Sequence, residues 1–458
     1  MKDSRRPHGL GALFLRLDTK WYADGMNYHV TGGKPLSGSV STNISKNAAV
    51  AMLCASLLNK DQTILRKMPR IEEINRLVEV LESIGVKVEW KDDGDMRVTP
   101  PKKVELKNIN VESAKRTRSI SMFIGPLSHL FEEFEIPSPG GCKLGARSMS
   151  AHAHALSKLG IEISEGEEGT FKVNSKKKAS AEIVMLEASD TGTNNALMAA
   201  AKISGVTTIK FASPNYMVQD LCVFLESLGV KIEGIGTSTL IVHGLEEIDT
   251  IAEGFPSEDP IESMFFLSLA ATTHSEITIE RCPIDFLELE LLTLEEMGFK
   301  YERSATYKAE NGHTNLVDLK TKKSELVAPP EKIAAKPYPG INIDNLPFFV
   351  PIATQAKGRT LIHDWVYEKR AIYYMEMEKL GADMVLADVH RVFIEGPTKL
   401  QPSEVICPPA LRPATLILIG MLTAEGDSVL HNVYPVNRGY EKLHSRLAKI
   451  GAKIEAIE

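Results

Sequence analysis

The sequence predicts an α/β protein of 458 residues, built from six copies of one unit and arranged as two domains of three. Three observations predict it. A short amphipathic helix ending on glycine and followed by an alternating strand occurs six times. An apolar helix, a short turn and a β-branched strand form a second phrase that interleaves with the first. The composition, 43% hydrophobic and 25% charged, is that of a globular chain able to bury a large core.

The glycines of the first phrase are Gly85, Gly160, Gly229, Gly298, Gly381 and Gly451, in the contexts LESIGVKVEW, LSKLGIEISE, LESLGVKIEG, LEEMGFKYER, MEKLGADMVL and LAKIGAKIEA. Each glycine is expected just past a helix C-terminus, where a left-handed residue closes the last turn. The second phrase begins as NAAVAMLCASLL, SISMFIGPLSHL, NNALMAAAKI, IESMFFLSLAAT, DNLPFFVPIATQ and LRPATLILIGML. Helices apolar on nearly every side are expected inside a domain, enclosed by sheets, with the amphipathic helices outside. A solenoid is the competing arrangement. Its units are usually shorter and more uniform than these, which recur about every 70 to 80 residues.

Other classes are excluded by charge and cysteine usage. A formal net charge of -7 provides no global field for nucleic acid or an anionic membrane, so an anionic substrate needs a local cationic cluster. Cys54, Cys142, Cys222, Cys282 and Cys407 are odd in number and scattered, which points to a reducing, cytoplasmic compartment and away from a disulfide framework or zinc site. Near the N-terminus the apolar stretch from Leu10 to Leu17 is broken by Arg16 and followed by Asp18, too short and charged for a signal peptide. Residues 1–26 read as an extension outside the fold. No apolar run approaches the roughly 18 residues of a membrane span.

The residues that open the apolar helices carry the functional signal. They are Ser45-Lys46-Asn47, Thr117-Arg118-Ser119, Asp190-Thr191-Gly192-Thr193, Asp259-Pro260-Ile261-Glu262, Ile343-Asp344-Asn345 and Leu411-Arg412-Pro413. Capping explains the Ser, Asp and Asn residues, and Asp259 with Glu262 reads as a capping box. It does not explain Lys46, Arg118 and Arg412, because cations sit unfavourably at a helix N-terminus. An anion shared among converging helix ends does.

Ser45-Lys46-Asn47-Ala48-Ala49, Pro139-Gly140-Gly141-Cys142 with Gly145-Ala146-Arg147, and Arg438-Gly439-Tyr440-Glu441 resemble the motifs of the UDP-N-acetylglucosamine 1-carboxyvinyltransferase family. The resemblance runs in order and spacing from about Tyr28 to the C-terminus. It implies two inside-out α/β barrels of three repeats with the active site in the cleft between them, a first domain of 27–45 plus 258–458, and a second of 46–257. It further implies an enolpyruvyl transferase acting on phosphoenolpyruvate (PEP) and UDP-N-acetylglucosamine, without metal or cofactor. Adding an alcohol across an enol double bond requires an acid for the methylene carbon, a base for the hydroxyl, and cations for phosphate and carboxylate.

The same resemblance assigns roles. Cys142, in a glycine-rich loop beside Lys143 and Arg147 that favours its thiolate, is the proton donor, the PEP adduct site and the target of the epoxide fosfomycin. Lys46 with Asn47 binds PEP, Arg147 and Arg438 clamp its charged groups, and Arg370 lines the same cleft. Arg118, Arg147, Ser148, Met149, Ser150, Ala151, Val366 and Arg412 face the acceptor. Asp344 contacts the acceptor hydroxyl as base, with a helix cap as the alternative reading. His152 also matches a family position. With His154 it lacks a third metal ligand.

Departures concentrate on the acceptor side. The family's Arg-Pro-Val-Asp is Arg147-Ser148-Met149-Ser150, and the lysine expected at the diphosphate falls on Glu187 or Leu186. Phe-Pro-Thr-Asp becomes Ile341-Asn342-Ile343-Asp344, and the aspartates before Arg412 and Arg438 are Ala410 and Asn437. An enolpyruvyl transferase with a different nucleotide or sugar-phosphate acceptor is therefore the alternative reading. The Pro-Gly-Gly-Cys loop argues against the shikimate-pathway enzyme.

Overall fold

The computed structural model describes residues 25–457 apart from 92, 141–148 and 168. Four of the six repeats of the second phrase form a continuous buried helix: Lys46–Ala55, Asp190–Ala200, Pro260–Thr272 and Leu411–Thr423. All thirteen residues of Pro260–Thr272 are buried, as expected for a helix without a polar face. Around it the Phe265 ring lies 5.1, 5.9 and 5.5 Å from Phe266, Phe348 and Tyr440. Each such side chain contributes about 1.5–3 kcal/mol of burial.

Two of the apolar helices differ from the sequence expectation. Ser119–Phe123 and Leu346–Phe348 are 3-10 turns, followed by only Ile124–Leu127 and Phe349–Gln355 as α-helix. Pro126, Pro347 and Pro351 supply no N–H to the preceding turn, so a regular ladder cannot run through them. Buried Asn195 compensates in the first case. Its Oδ1 accepts the Gly125 N–H at 2.8 Å and its Nδ2 donates to the Ser121 carbonyl at 2.8 Å.

The outer helices end as the glycines predict. All six have positive φ, between 77° and 99°. In every repeat the next residue donates its N–H five residues back, as Val86 does to Leu81 and Ile161 to Leu156, both at 3.0 Å.

Among the described residues, six sheets accompany the six repeats. Five share one pattern, a short parallel edge strand and then antiparallel neighbours, while the sheet of Glu133–Pro137, Thr170–Asn174 and Glu162–Glu165 shows three strands and no parallel edge among the described residues. Three sheets draw their strands from residues 27–41 and 276–457, and three from residues 63–254. The N-terminal strand Asn27–Gly32 lies between Gly426–His431 and Lys453–Ile457, so the first segment completes the last repeat. Met26 also joins the fold, accepting the Val433 N–H at 2.9 Å.

The two chain passages between these sets of sheets run side by side. Ser45 N donates to Ser257 O and Asp259 N to Asn43 O, both at 2.8 Å, around an Ile44–Glu258 bridge. This alters the expected capping box. Asp259 caps the Ile261 N–H at 2.9 Å, but Glu262 accepts from Asn43 N at 2.8 Å instead of reaching back, because the Asp259 N–H is already used across the junction.

Candidate active site

The helix openings converge. Lys46 is the first residue of its helix, behind the N-cap Ser45. Burial pushes its ammonium below the usual lysine range; Glu73 opposes that shift most strongly, and Arg412, Arg438 and Asp344 also act on it. Asp259, which caps the helix Pro260–Thr272, is pushed up to about 6 by burial against the opposing field of Arg412 and, more weakly, Lys46. Asp190, opening Asp190–Ala200, is likewise pushed up to about 6 by burial, and Asp344 adds to the shift. Its carboxylate accepts from Ser213 Oγ at 2.5 Å and Asn215 Nδ2 at 3.3 Å. The Thr117-Arg118-Ser119 opening joins through the Thr117 and Ser119 hydroxyls, which both donate to Glu73 Oε1.

Glu73 is the buried hub that the sequence reading missed. It lies in the first turn of the outer helix Glu72–Ser83, where an acidic residue looks like an ordinary helix-dipole partner. Its Oε2 is 3.5 Å from Arg438 Nε, and its backbone N–H donates to the Arg438 carbonyl at 3.3 Å. Burial raises its pKa, but Lys46, Arg438 and the two hydroxyls outweigh this and hold it below the usual glutamate value. Arg438 Nε is buried facing Glu73 Oε2 and donates no short hydrogen bond among the described residues, so that contact is a charge pair and not a hydrogen bond.

Asp344 sits between two guanidiniums, Arg370 Nη1 at 3.7 Å and Arg412 Nη2 at 3.5 Å. Arg412 also donates to Tyr440 Oη at 3.3 Å. Arg370, expected among the PEP-binding arginines, is 1% exposed. Its Nε and Nη2 bond to Asp364 at 2.5 and 3.0 Å, and Nη2 donates to the Ile343 carbonyl at 2.7 Å. Tyr374 Oη also donates to fully buried Asp364, at 2.5 Å. Asn47 Nδ2 and Ser45 Oγ both contact the buried Tyr216 hydroxyl, at 3.3 and 3.2 Å.

His152 is buried between Asn195 Nδ2 and Thr191 Oγ1, at 3.1 and 3.2 Å. Burial, with Arg118 adding, lowers it to about 4 and keeps the ring neutral at pH 7. No group of three metal-ligating side chains occurs among the described residues. Ala151 is buried beside His152, Met149 is half-buried, and Ser150, Val366, Leu186 and Glu187 are exposed. Cys142, Lys143, Arg147 and Ser148 lie outside the described residues. The described residue before that loop, Gly140, approaches the Lys115 backbone so closely that a Cβ would fall 1.7 Å from its carbonyl oxygen.

Lys46 and Arg412 at helix N-termini, with Arg438 and a flanked aspartate beside them, invite comparison with known proteins. The EPSP synthase (3-phosphoshikimate 1-carboxyvinyltransferase) family profile matches residues 30–447. The UDP-N-acetylglucosamine 1-carboxyvinyltransferase of Wolinella succinogenes is 33% identical over 93% of this chain and 98% of its own length. That of Porphyromonas gingivalis is 31% identical over 94% and 100%. The chain belongs to the UDP-N-acetylglucosamine 1-carboxyvinyltransferase family.

Solved structures agree on the two-domain α/β fold of these enolpyruvyl transferases. NikO from Streptomyces tendae superposes with a TM-score of 0.82 at 21% identity, covering 94% of this chain and 99% of its own. EPSP synthase from Acinetobacter baumannii gives 0.73 at 17% identity, with 94% and 100% covered. Two kinds of group meet around Lys46 and Asp344. Lys46, Arg412 and Arg438 are cations at or beside helix openings. Glu73 and Asp364 are buried carboxyls that hold Arg438 and Arg370, and no local sequence signal marks either. No helix among the described residues is long and apolar enough to cross a membrane.

Proposed function

We propose that this cleft transfers the enolpyruvyl unit of PEP to the 3-hydroxyl of UDP-N-acetylglucosamine with release of phosphate, the first committed step of peptidoglycan synthesis, in the cytoplasm. The observation that carries the reading is the mutual field of Lys46, Arg412, Arg438, Glu73 and Asp344 at converging helix N-termini. The sheet partition supports two domains, 27–45 with 258–458 and 46–257, closing on that cleft.

In this reading Lys46, Arg438 and Arg147 hold the phosphate and carboxylate of PEP, with Asn47 bracing the site through Tyr216. Cys142 delivers a proton to the methylene carbon. The acceptor oxygen bonds to the neighbouring carbon as its proton passes to Asp344. Phosphate leaves from the tetrahedral intermediate, and loss of a proton from the methyl carbon restores the double bond. Arg370, with its donors engaged by Asp364 and Ile343, serves to orient Asp344, while Arg118, Arg412, Ser148–Ala151 and Val366 face the acceptor. Fixed cations beside the departing phosphate suit this chemistry, since they require little reorganisation as charge develops.

Phosphate release from PEP, measured across UDP-N-acetylglucosamine, UMP and shikimate 3-phosphate, tests the reading. Turnover with the first is expected. Release only with another acceptor transfers the same chemistry to a different substrate, an outcome that exposed Ser150 and Glu187 make worth measuring. No release with any of them overturns it.

A further inference from the structure

Asp344 sits in a turn whose sequence departs from the family resemblance, with Asn342 in the place of proline. Proline fixes its own φ and has no N–H to satisfy. Asparagine brings both backbone freedom and a donor. Here that donor goes to Glu290: the Asn342 N–H reaches Oε1 at 2.9 Å, and the same oxygen accepts Asn345 Nδ2 at 2.8 Å. Glu290 lies on the outer helix Glu288–Glu296 and is 2% exposed. One buried oxygen therefore ties both shoulders of the turn. The bonds continue inward, because Asn342 Oδ1 accepts the Asp344 N–H at 2.9 Å and Asn342 O accepts the Asn345 N–H at 2.9 Å.

We propose that Glu290 is a positioning residue for enolpyruvyl transfer: its oxygen holds the 342–345 turn so that Asp344 meets the acceptor hydroxyl, replacing by hydrogen bonds the stiffness of the family's proline. The inference rests on the reading of Asp344 as the base. A buried carboxyl met by backbone N–H groups and an amide, with no cation paired to it among the described residues, is otherwise a costly choice for an outer helix, and burial pushes its pKa up. Because both bonds use one oxygen, a glutamine supplies the same acceptor through its carbonyl.

The test is a kinetic cycle of E290Q, E290M, D344N and E290M/D344N, with thermal unfolding of each. E290Q is expected to keep kcat within about 3-fold. E290M should lower kcat by about 10- to 100-fold with the PEP KM unchanged, the scale of loss when a reacting group is misplaced by about 1 Å. In the D344N background E290M should cost less than about 3-fold, since misplacing an absent base has no effect. An equal kcat loss in both backgrounds, or wild-type kcat for E290M while D344N is impaired, overturns the positioning role alone. Wild-type kcat for D344N overturns the Asp344 reading and this inference with it. N345A, which unties one shoulder and leaves Glu290 in place, provides a second cycle if E290M does not fold, with the same background-dependent loss expected.

Discussion

Replacing Glu73 by glutamine isolates the charge at the centre of the Lys46–Arg438 cluster. Glutamine keeps Oε1 for the Thr117 and Ser119 hydroxyls, so the main loss is the negative charge facing Arg438 and Lys46. At 3.5 Å and an effective dielectric constant near 20, the Glu73–Arg438 attraction is about 5 kcal/mol. Not having to bury a carboxylate offsets part of this, leaving a net cost of about 2–4 kcal/mol for breaking a buried pair. At 2–4 °C per kcal/mol for a domain of this size, the Tm should fall by about 4–16 °C at pH 7. Glu73 is held below the ordinary glutamate value of 4.5, so its stabilisation is present above 4.5 and lost as the pH falls through the lower folded value. The difference between wild type and E73Q should therefore vanish in acid. Lys46 loses the strongest influence raising its pKa, so the variant's PEP KM should begin to climb at a lower alkaline pH than the wild type's. Thermal unfolding from pH 3.5 to 9 and PEP saturation curves measure both effects. An unchanged Tm and PEP KM across that range would refute the hub assigned to Glu73.

Four further outcomes are expected. Fosfomycin should add once, on the peptide containing Cys142, as read by mass spectrometry; loss of activity with modification only of Cys54 or Cys407 contradicts that assignment. E187K should lower the KM for UDP-N-acetylglucosamine while leaving the PEP KM within about 2-fold, since a rim charge acts mainly through encounter and screening. D364N removes the counter-charge of buried Arg370 and should cost about 3–5 kcal/mol in denaturant unfolding, with kcat falling as Asp344 loses its partner's orientation. G160A places a Cβ 2.1 Å from the Lys177 carbonyl oxygen at φ 77°, and should cost about 2 kcal/mol or more by the same assay.

The local features were legible in the sequence because each is decided by residues a few positions apart. The six glycines read as helix ends, since the left-handed residue and its five-back hydrogen bond lie within one short phrase. The apolar helices read as buried because they lack a polar face, although Pro126, Pro347 and Pro351 shortened two of them. Lys46 and Arg412 stood out as cations where a helix N-terminus disfavours them. Tertiary packing alone decided which distant groups satisfy one another. Glu73 looked like an acidic first-turn residue and became the partner of Arg438, more than 300 positions away. The resemblance places Arg370 in the cleft but cannot name its partners, which are Asp364 and Ile343. Glu290 is one of several acidic residues in Glu288–Glu296, and only packing brings its oxygen to the Asn342 N–H and Asn345 Nδ2. Periodicity and backbone preference act along the chain, whereas the desolvation of a charge, and therefore the partner it must have, exists only after six separate helices have been brought together.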